Sequence, residues 1–480
     1  AVRWDAAHGF APARSAIEEA LRVGVGGVIF FGGPASAVAE LTAELRRRST
    51  LPLLLGADLE RGAGQQFEGL TGLPPLAAVA SLGDVYSVRR AAALTAREAR
   101  MVGVNWDYAP DCDLDVEPDN PIIGTRALGG DPARVAELAA AWIDACQREG
   151  VLACAKHFPG HGRTRGDSHM ELPVVNASAE LLRAEDLFPF RAAIDAGVAS
   201  VMSAHVAYPA LDPGGLPATR SRAILTDLLR RELGFHGLVV TDALIMDGAL
   251  VGGGETVAAV EALDAGCDLL LYPTDLGAVA DAVARALRDG RLDAERLRAS
   301  LARRAHWAEW AAHPGEVTTP TPLPEDAAWA AELADRVVHP LVGRLPRLAG
   351  GVDVIIVDDD LGGPYPAPSR EPFITALRQG DAGVDVAVVE RLSPDARGPV
   401  IVALFGDIRS WKGRPGYSAA SRRAVAHAVD AARRAARDVV VVQFSHPRLA
   451  AELPDVPALL CAWGGEVPMQ RAAARRLLRE

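Results

Sequence analysis

Through the first three hundred residues, short apolar runs of β character alternate with longer Ala/Leu/Arg stretches of helical period, and few folds accommodate that alternation. The strand candidates are residues 25–31, 52–58, 103–109, 151–157, 199–205, 237–242 and 267–272. Helical stretches lie between them at 16–23, 87–100, 132–149, 222–233 and 276–288. Repeated strand–helix units imply a parallel sheet covered by helices. Residues 2–4 read as the remainder of an eighth strand, and eight such units over ~250 or more residues match a (β/α)8 barrel. A doubly wound open sheet is the alternative that counting strands leaves standing.

Polar residues fall in a telling place. Asp58, His157, His205 and Asp242 each end a strand candidate. In a barrel those ends and the loops after them form the active face. The Pro/Thr-rich stretch HPGEVTTPTPLP at 313–324 cannot hold a helix and reads as the start of a linker, followed by a helical segment at 325–338. A second strand–helix series follows, with strands at 352–357, 384–389, 400–405, 439–444 and 458–462. The expected division is a barrel domain over 1–312, linker and helix over 313–344, and a smaller α/β sandwich over 345–480. Gly362-Gly363-Pro364 reads as a turn, because it lacks the G-x-G-x-x-G that opens a helix in dinucleotide sites.

Composition narrows the partners. A net charge of −12 argues against nucleic acid, since phosphate backbones call for clustered positive charge. No apolar run reaches the ~20 residues of a membrane helix. Five scattered cysteines without a C-x-x-C pair form neither a disulfide framework nor a zinc ribbon, and they suit a reducing, cytoplasmic compartment. No signal peptide is visible at the start, which is charged at once. Small molecules and neutral polymers are the expected ligands, with no cofactor called for. Among the 50 basic residues only Lys156 and Lys412 are lysine. A lysine in so arginine-dominated a chain invites a reason.

The most informative stretch is Lys156-His157-Phe158-Pro159-Gly160-His161-Gly162, followed after four residues by Asp167-Ser168-His169. It leaves a strand, and its glycines and proline forbid regular structure. If the loop is extended at 167–169, residues two apart project to one side. The aspartate can then fix the imidazole's tautomer and stabilise its protonated form. Histidine titrates nearest neutral pH, so the pair suits proton transfer in both directions. Lys156, beside His157, suits hydrogen bonds to a ligand's hydroxyls. Asp242, closing the apolar Val239-Val240-Thr241, either caps the next helix or faces a site, because a buried unpaired carboxylate is costly. Asp58, with Arg61 close by, has the same two readings. Arg126 is the cation of an otherwise acidic loop whose carboxylates lack the D-x-D-x-D-G spacing of a calcium site.

K-H-F-P-G-H-G-x4-D-S-H resembles the loop of the bacterial β-N-acetylglucosaminidase branch of glycoside hydrolase family 3. V-V-T-D-A-L-I-M looks like that family's nucleophile strand, N-P-I-I-G-T-R like its substrate-arginine segment, and G-A-D-L-E-R-G-A-G-Q-Q-F like its substrate-aspartate loop. The resemblance runs in order from Val25 to Pro273 and more loosely beyond. It implies a retaining double displacement, with Asp242 as nucleophile and His169, supported by Asp167, as general acid/base. Asp58, Arg126, Lys156 and His157 would bind the sugar. A histidine then takes the role that a second carboxylate fills in most retaining enzymes. One departure stands out: Gln66 precedes Phe67 where this branch commonly has arginine, which would relax recognition towards glucosides. Three other readings remain open on the residues. They are phosphorolysis at the same site, a metal-dependent hydrolase using His157, His161, Asp167 and His169, and a non-catalytic sugar-binding protein.

Overall fold

The structure is a computed structural model describing residues 1–312, 320–360, 367–380, 384–408 and 410–479. Residues 313–319 of the expected linker and the Gly362-Gly363-Pro364 turn lie outside the described residues. Two compact units emerge. The first comprises 1–71, 84–117 and 126–323, and the second 72–83, 118–125 and 324–480. Two segments that precede the expected boundary therefore fall in the second unit, as does the helix Pro324–Val337 expected to belong with the linker.

Among its described residues the first unit carries eight parallel strands: β1 (Val2–Arg3), β2 (Gly27–Phe31), β3 (Leu54–Ala57), β4 (Trp106–Asp107), β5 (Cys154–Phe158), β6 (Ser200–Ser203), β7 (Leu238–Ala243) and β8 (Leu269–Leu271). They form two four-stranded arcs in sequence order, β1 to β4 and β5 to β8. Parallel bridges Trp106↔Leu152 and Asp111↔Lys156 join the arcs. At the other ends of the arcs the ring of Phe31 in β2 lies 5.5 Å from that of Tyr272, just after β8. The interior is filled from nearly every strand: Ile29, Leu54, Trp106, Cys154, Met202 and Val240 share one buried cluster, with Leu269 and Leu271 packed against it. This is a (β/α)8 layout, and the expected eighth strand is present as β1.

Helices follow where their signals lie. Asp84 accepts a hydrogen bond from the Ser87 amide at 2.6 Å to open Val85–Met101, and Asp131 accepts from the Arg134 amide at 2.8 Å to open Pro132–Arg148, whose first residue is proline. Ala223–Glu232, expected as an ordinary helix, is wound as a wider π-helix. Among the described residues no helix is long and apolar enough to cross a membrane.

The second unit is built on a sheet of β9 (His339–Val342), β10 (Gly350–Asp358), β11 (Val384–Val388), β12 (Val400–Phe405), β13 (Val439–Phe444) and β14 (Leu459–Cys461). The order is β11-β10-β12-β13-β14-β9, parallel except for β9, which runs antiparallel to β14. Helices Glu371–Gly380 and Val467–Leu478 cover one face, and Ala419–Arg434 covers the other. The sequence reading missed β9. It is short, mostly exposed and carries Pro340, which an edge strand tolerates and a strand pattern does not announce.

Candidate active site

Strands β3, β5 and β7 deliver the site from their C-terminal ends. Asp58 follows β3, Lys156 and His157 lie in β5, and Asp242 is the penultimate residue of β7. An apolar β strand explains each placement, since the run of Val, Leu and Ala fills the barrel and the polar residues come at its C-terminal end.

Lys156 is almost wholly buried, at 1% side-chain exposure, and its ammonium lies 2.9 Å from Asp58 Oδ1 and 2.6 Å from Glu60 Oε1. Arg126 grips the same Glu60, its Nε donating to Oε2 at 3.0 Å and its Nη2 to Oε1 at 2.8 Å. Glu60 thus joins two cations that the sequence reading placed separately. Burial alone would raise Glu60, but Arg126 and Lys156 together hold it well below the usual carboxylate range. Burial likewise opposes the charge on Lys156, and Asp58 and Glu60 overcome it to keep the ammonium protonated. Asp58 remains about one-third exposed, so its carboxylate is open to a ligand.

His157 is set by Asp113. Its Nδ1 is 2.7 Å from Asp113 Oδ2, while the same carboxylate accepts the amides of His157 and His161. The other ring nitrogen, Nε2, lies 4.0 Å from Asp242 Oδ2. Burial, then the charge of Arg126, pushes His157 down to about 4, so the ring is neutral at pH 7. Asp113 is pushed up to about 6 and Asp111 well above its ordinary range, in both cases chiefly by burial.

Asp242 accepts the Ala243 amide at 2.7 Å. Burial works to raise it, but His157, His205 and His169 draw it down to about 2. Burial pushes His157 down to about 4 and lowers His205 as well. The carboxylate is ionised throughout the neutral range. His205 Nδ1 is 2.8 Å from Thr219 Oγ1, and its Nε2 is 3.2 Å from the Ala243 carbonyl.

The loop after β5 brings the third component. His169 Nδ1 is 2.7 Å from Asp167 Oδ1, which also accepts the His169 amide at 2.9 Å. Asp167 is buried, whereas the His169 side chain keeps 16% exposure. His161 points elsewhere. Its Nδ1 meets Thr164 Oγ1 at 2.8 Å and its Nε2 meets Ser168 Oγ at 2.9 Å, so it ties the loop together.

The structure therefore gathers Asp58, Arg126, Lys156, His157 and Asp242 into one connected cluster and pairs Asp167 with His169 beside it. The four-residue metal set does not converge, because His161 spends both nitrogens inside its loop. The group with ligand spacing among the described residues is Asp111, Asp113 and His157. Its chemistry suits a cation poorly, since His157 Nδ1 already faces Asp113 and Arg126 Nη2 stands 3.8 Å from Asp111 Oδ2. Glu60 and Asp113 are the residues the sequence reading missed. Alternation in the Asp58-x-Glu60 segment hinted at the first, as residues two apart face one way in extended chain. Nothing local announced the second, whose partner His157 is 44 residues away. Gln66, the noted departure, uses its amide to tie backbone, with Oε1 accepting from Gly32 N at 3.1 Å and Nε2 donating to Asp58 O at 3.4 Å.

Known proteins resemble the chain in both sequence and fold. A "Beta-N-acetylglucosaminidase/beta-glucosidase" of Cellulomonas fimi is 38% identical over 290 residues, 58% of this chain and 51% of that protein, so the alignment spans about half of its length. A "Beta-hexosaminidase" of Thiobacillus denitrificans is 36% identical over 319 residues, 64% of this chain and 86% of that one. Among solved structures, a glycoside hydrolase family 3 β-N-acetylglucosaminidase from Paenibacillus sp. str. FPU-7 matches with a TM-score of 0.85 at 29% identity, covering 97% of this chain and 92% of that chain. Residues 6–306 match the model of the glycosyl hydrolase family 3 N-terminal domain. With that match spanning well over half of its length, the chain belongs to glycoside hydrolase family 3.

Proposed function

We propose that the chain is a retaining glycosidase that removes terminal β-linked N-acetylglucosamine, and also β-linked glucose, through a covalent glycosyl-aspartate. The observation that carries this reading is the pairing of a partly exposed, ionised Asp242 with a separate, hydrogen-bonded Asp167–His169 couple. In the first step Asp242 attacks the anomeric carbon and forms an ester. The bond to the leaving oxygen breaks as His169 gives that oxygen its proton. In the second step water attacks the ester, passes a proton to His169 and releases Asp242. Asp167 holds the imidazole in one orientation and stabilises its charged form between the two steps. Asp58, Arg126, Lys156 and His157 bind the sugar's hydroxyls, their charges balanced in advance through Glu60 and Asp113. The names of the relatives support the N-acetylglucosaminide, and the uncharged Gln66 supports tolerance of glucosides. Five buried, unpaired cysteines support a cytoplasmic setting, where terminal N-acetylglucosamine comes from recycled cell-wall fragments or chitin fragments.

Phosphorolysis is the second reading, because a histidine acid/base does not repel a phosphate dianion as a carboxylate would. One experiment separates the two. Release of nitrophenol from the β-N-acetylglucosaminide and the β-glucoside is followed with and without phosphate, with Asp242→Ala as control. Turnover of the first substrate, lost by at least ~10³-fold in the variant, is the expected result. Sugar 1-phosphate formed on adding phosphate would replace hydrolysis by phosphorolysis. Turnover undiminished in Asp242→Ala would overturn the mechanism.

A further inference from the structure

The turn after β7 is built into the loop that carries the Asp167–His169 couple. The Gly248 amide donates to the Ser168 carbonyl at 3.1 Å, and the Asp247 amide donates to the His169 carbonyl at 3.4 Å. Gly248 is buried in the short helix Asp247–Leu250. Its φ lies outside the left-handed region, so backbone conformation does not require glycine here. Space does. A Cβ at 248 would stand 2.9 Å from each of three carbonyl oxygens, those of Ser168, Glu171 and His205. Two of the three belong to the loop of His169. The third belongs to His205, whose ring contacts the carbonyl of Ala243, the residue after Asp242. The bare Cα of Gly248 is thus where the acid/base loop meets the backbone that leads out of the nucleophile's strand.

We propose that Gly248 is a positioning residue for the general acid/base. Without a side chain at 248, the turn docks flush against the Ser168 and His169 carbonyls and sets the depth at which the imidazole stands over Asp242. The inference rests on the glycosidase reading above. Its chemical consequence is specific. An activated aryl leaving group departs without protonation, whereas a sugar or phenyl leaving group needs the proton from His169. Backing His169 away while Asp242 stays in place slows only the second kind.

The test is kcat/KM, which reports formation of the glycosyl-aspartate, for wild type and Gly248→Ala across aryl β-N-acetylglucosaminides from dinitrophenyl to phenyl. The expected result is a loss of about tenfold or more at the phenyl end and within about twofold at the dinitrophenyl end, a fraction of what a whole general acid contributes. An equal loss across the series, or none, overturns the proposal, because a merely structural defect has no preference among leaving groups. Amide hydrogen exchange on the wild-type chain gives a second readout, independent of whether the variant folds. The Gly248 amide is expected to exchange slowly, and exchange at the rate of an unprotected amide overturns the docking. Failure of the parent reading looks different: a wild-type chain that turns over none of the series removes the glycosidase reading and this inference with it.

Discussion

Glu60 concentrates the electrostatics of the sugar site in one carboxylate. Its neighbours Lys156 and Arg126 are both cations with little access to water, and Glu60 between them, with Asp58 beside Lys156, offsets their charge. Glu60→Gln keeps the shape and removes the charge. It is expected to raise KM about tenfold or more with a smaller change in kcat, and to cost about 3 kcal/mol in stability, since Lys156 and Arg126 lose the carboxylate they share. Steady-state kinetics with denaturant unfolding checks both. His161 offers a pH test. Burial first, and then His157, pushes it down to about 3, whereas an unfolded imidazole protonates near 6.5. Between those values the unfolded chain binds more protons, so the ring's contribution is complete above about pH 6.5 and is lost as pH falls towards 3. His161→Asn is expected to be less stable than wild type by about 1–3 kcal/mol at pH 7.5, and that deficit should shrink at pH 4.5. Urea unfolding at both values decides it, and a constant deficit would refute the assignment.

Loop elements here are held by backbone proximity more than by regular structure. The segment 159–162 lies against 111–116, where Asp113 accepts the His161 amide and a Cβ on Gly162 would stand 1.9 Å from the Leu114 carbonyl. Gly162→Ala is expected to push these segments apart, lowering stability by about 1–3 kcal/mol and lowering kcat by loosening both His157 and the 167–169 loop. Thermal unfolding and activity should fall together, and a variant with wild-type values in both would contradict the packing. At this scale much was legible beforehand. Strands β2 to β8 and the helix Leu276–Arg288 lie where hydrophobic period placed them, because each is an apolar or periodic run between strong turn signals. β9 escaped because its exposed Leu341 and Val342 and its proline mimic loop. The π winding of Ala223–Glu232 escaped because periods of 3.6 and of slightly more cannot be told apart over ten residues.

Each unit of the molecule has its own interior. In the first, Trp106 packs among side chains from both strand arcs and donates its indole N–H to Ser200 Oγ at 2.8 Å, from β4 in one arc to β6 in the other. Trp106→Ala is expected to cost about 3–5 kcal/mol, through lost burial and the cavity left behind, and to lower the melting temperature by several degrees, read by circular dichroism. In the second, Arg437 is buried against Asp353 at 2.5 Å and the Gly398 carbonyl at 2.6 Å, fastening β10 to the chain entering β12 and β13. The strand–helix rhythm of the chain was enough to expect two α/β units, and the polar residues ending its strands pointed to a barrel in the first, because period and turn chemistry are local properties. The Asp167–His169 couple was legible for the same reason, its partners being two residues apart. Glu60 between Lys156 and Arg126, Asp113 behind His157, and Gly248 against the Ser168 carbonyl were decided only by the folded chain. A carboxylate or a glycine reads the same in sequence whether it is solvated or buried, and only the approach of distant segments gives it a partner.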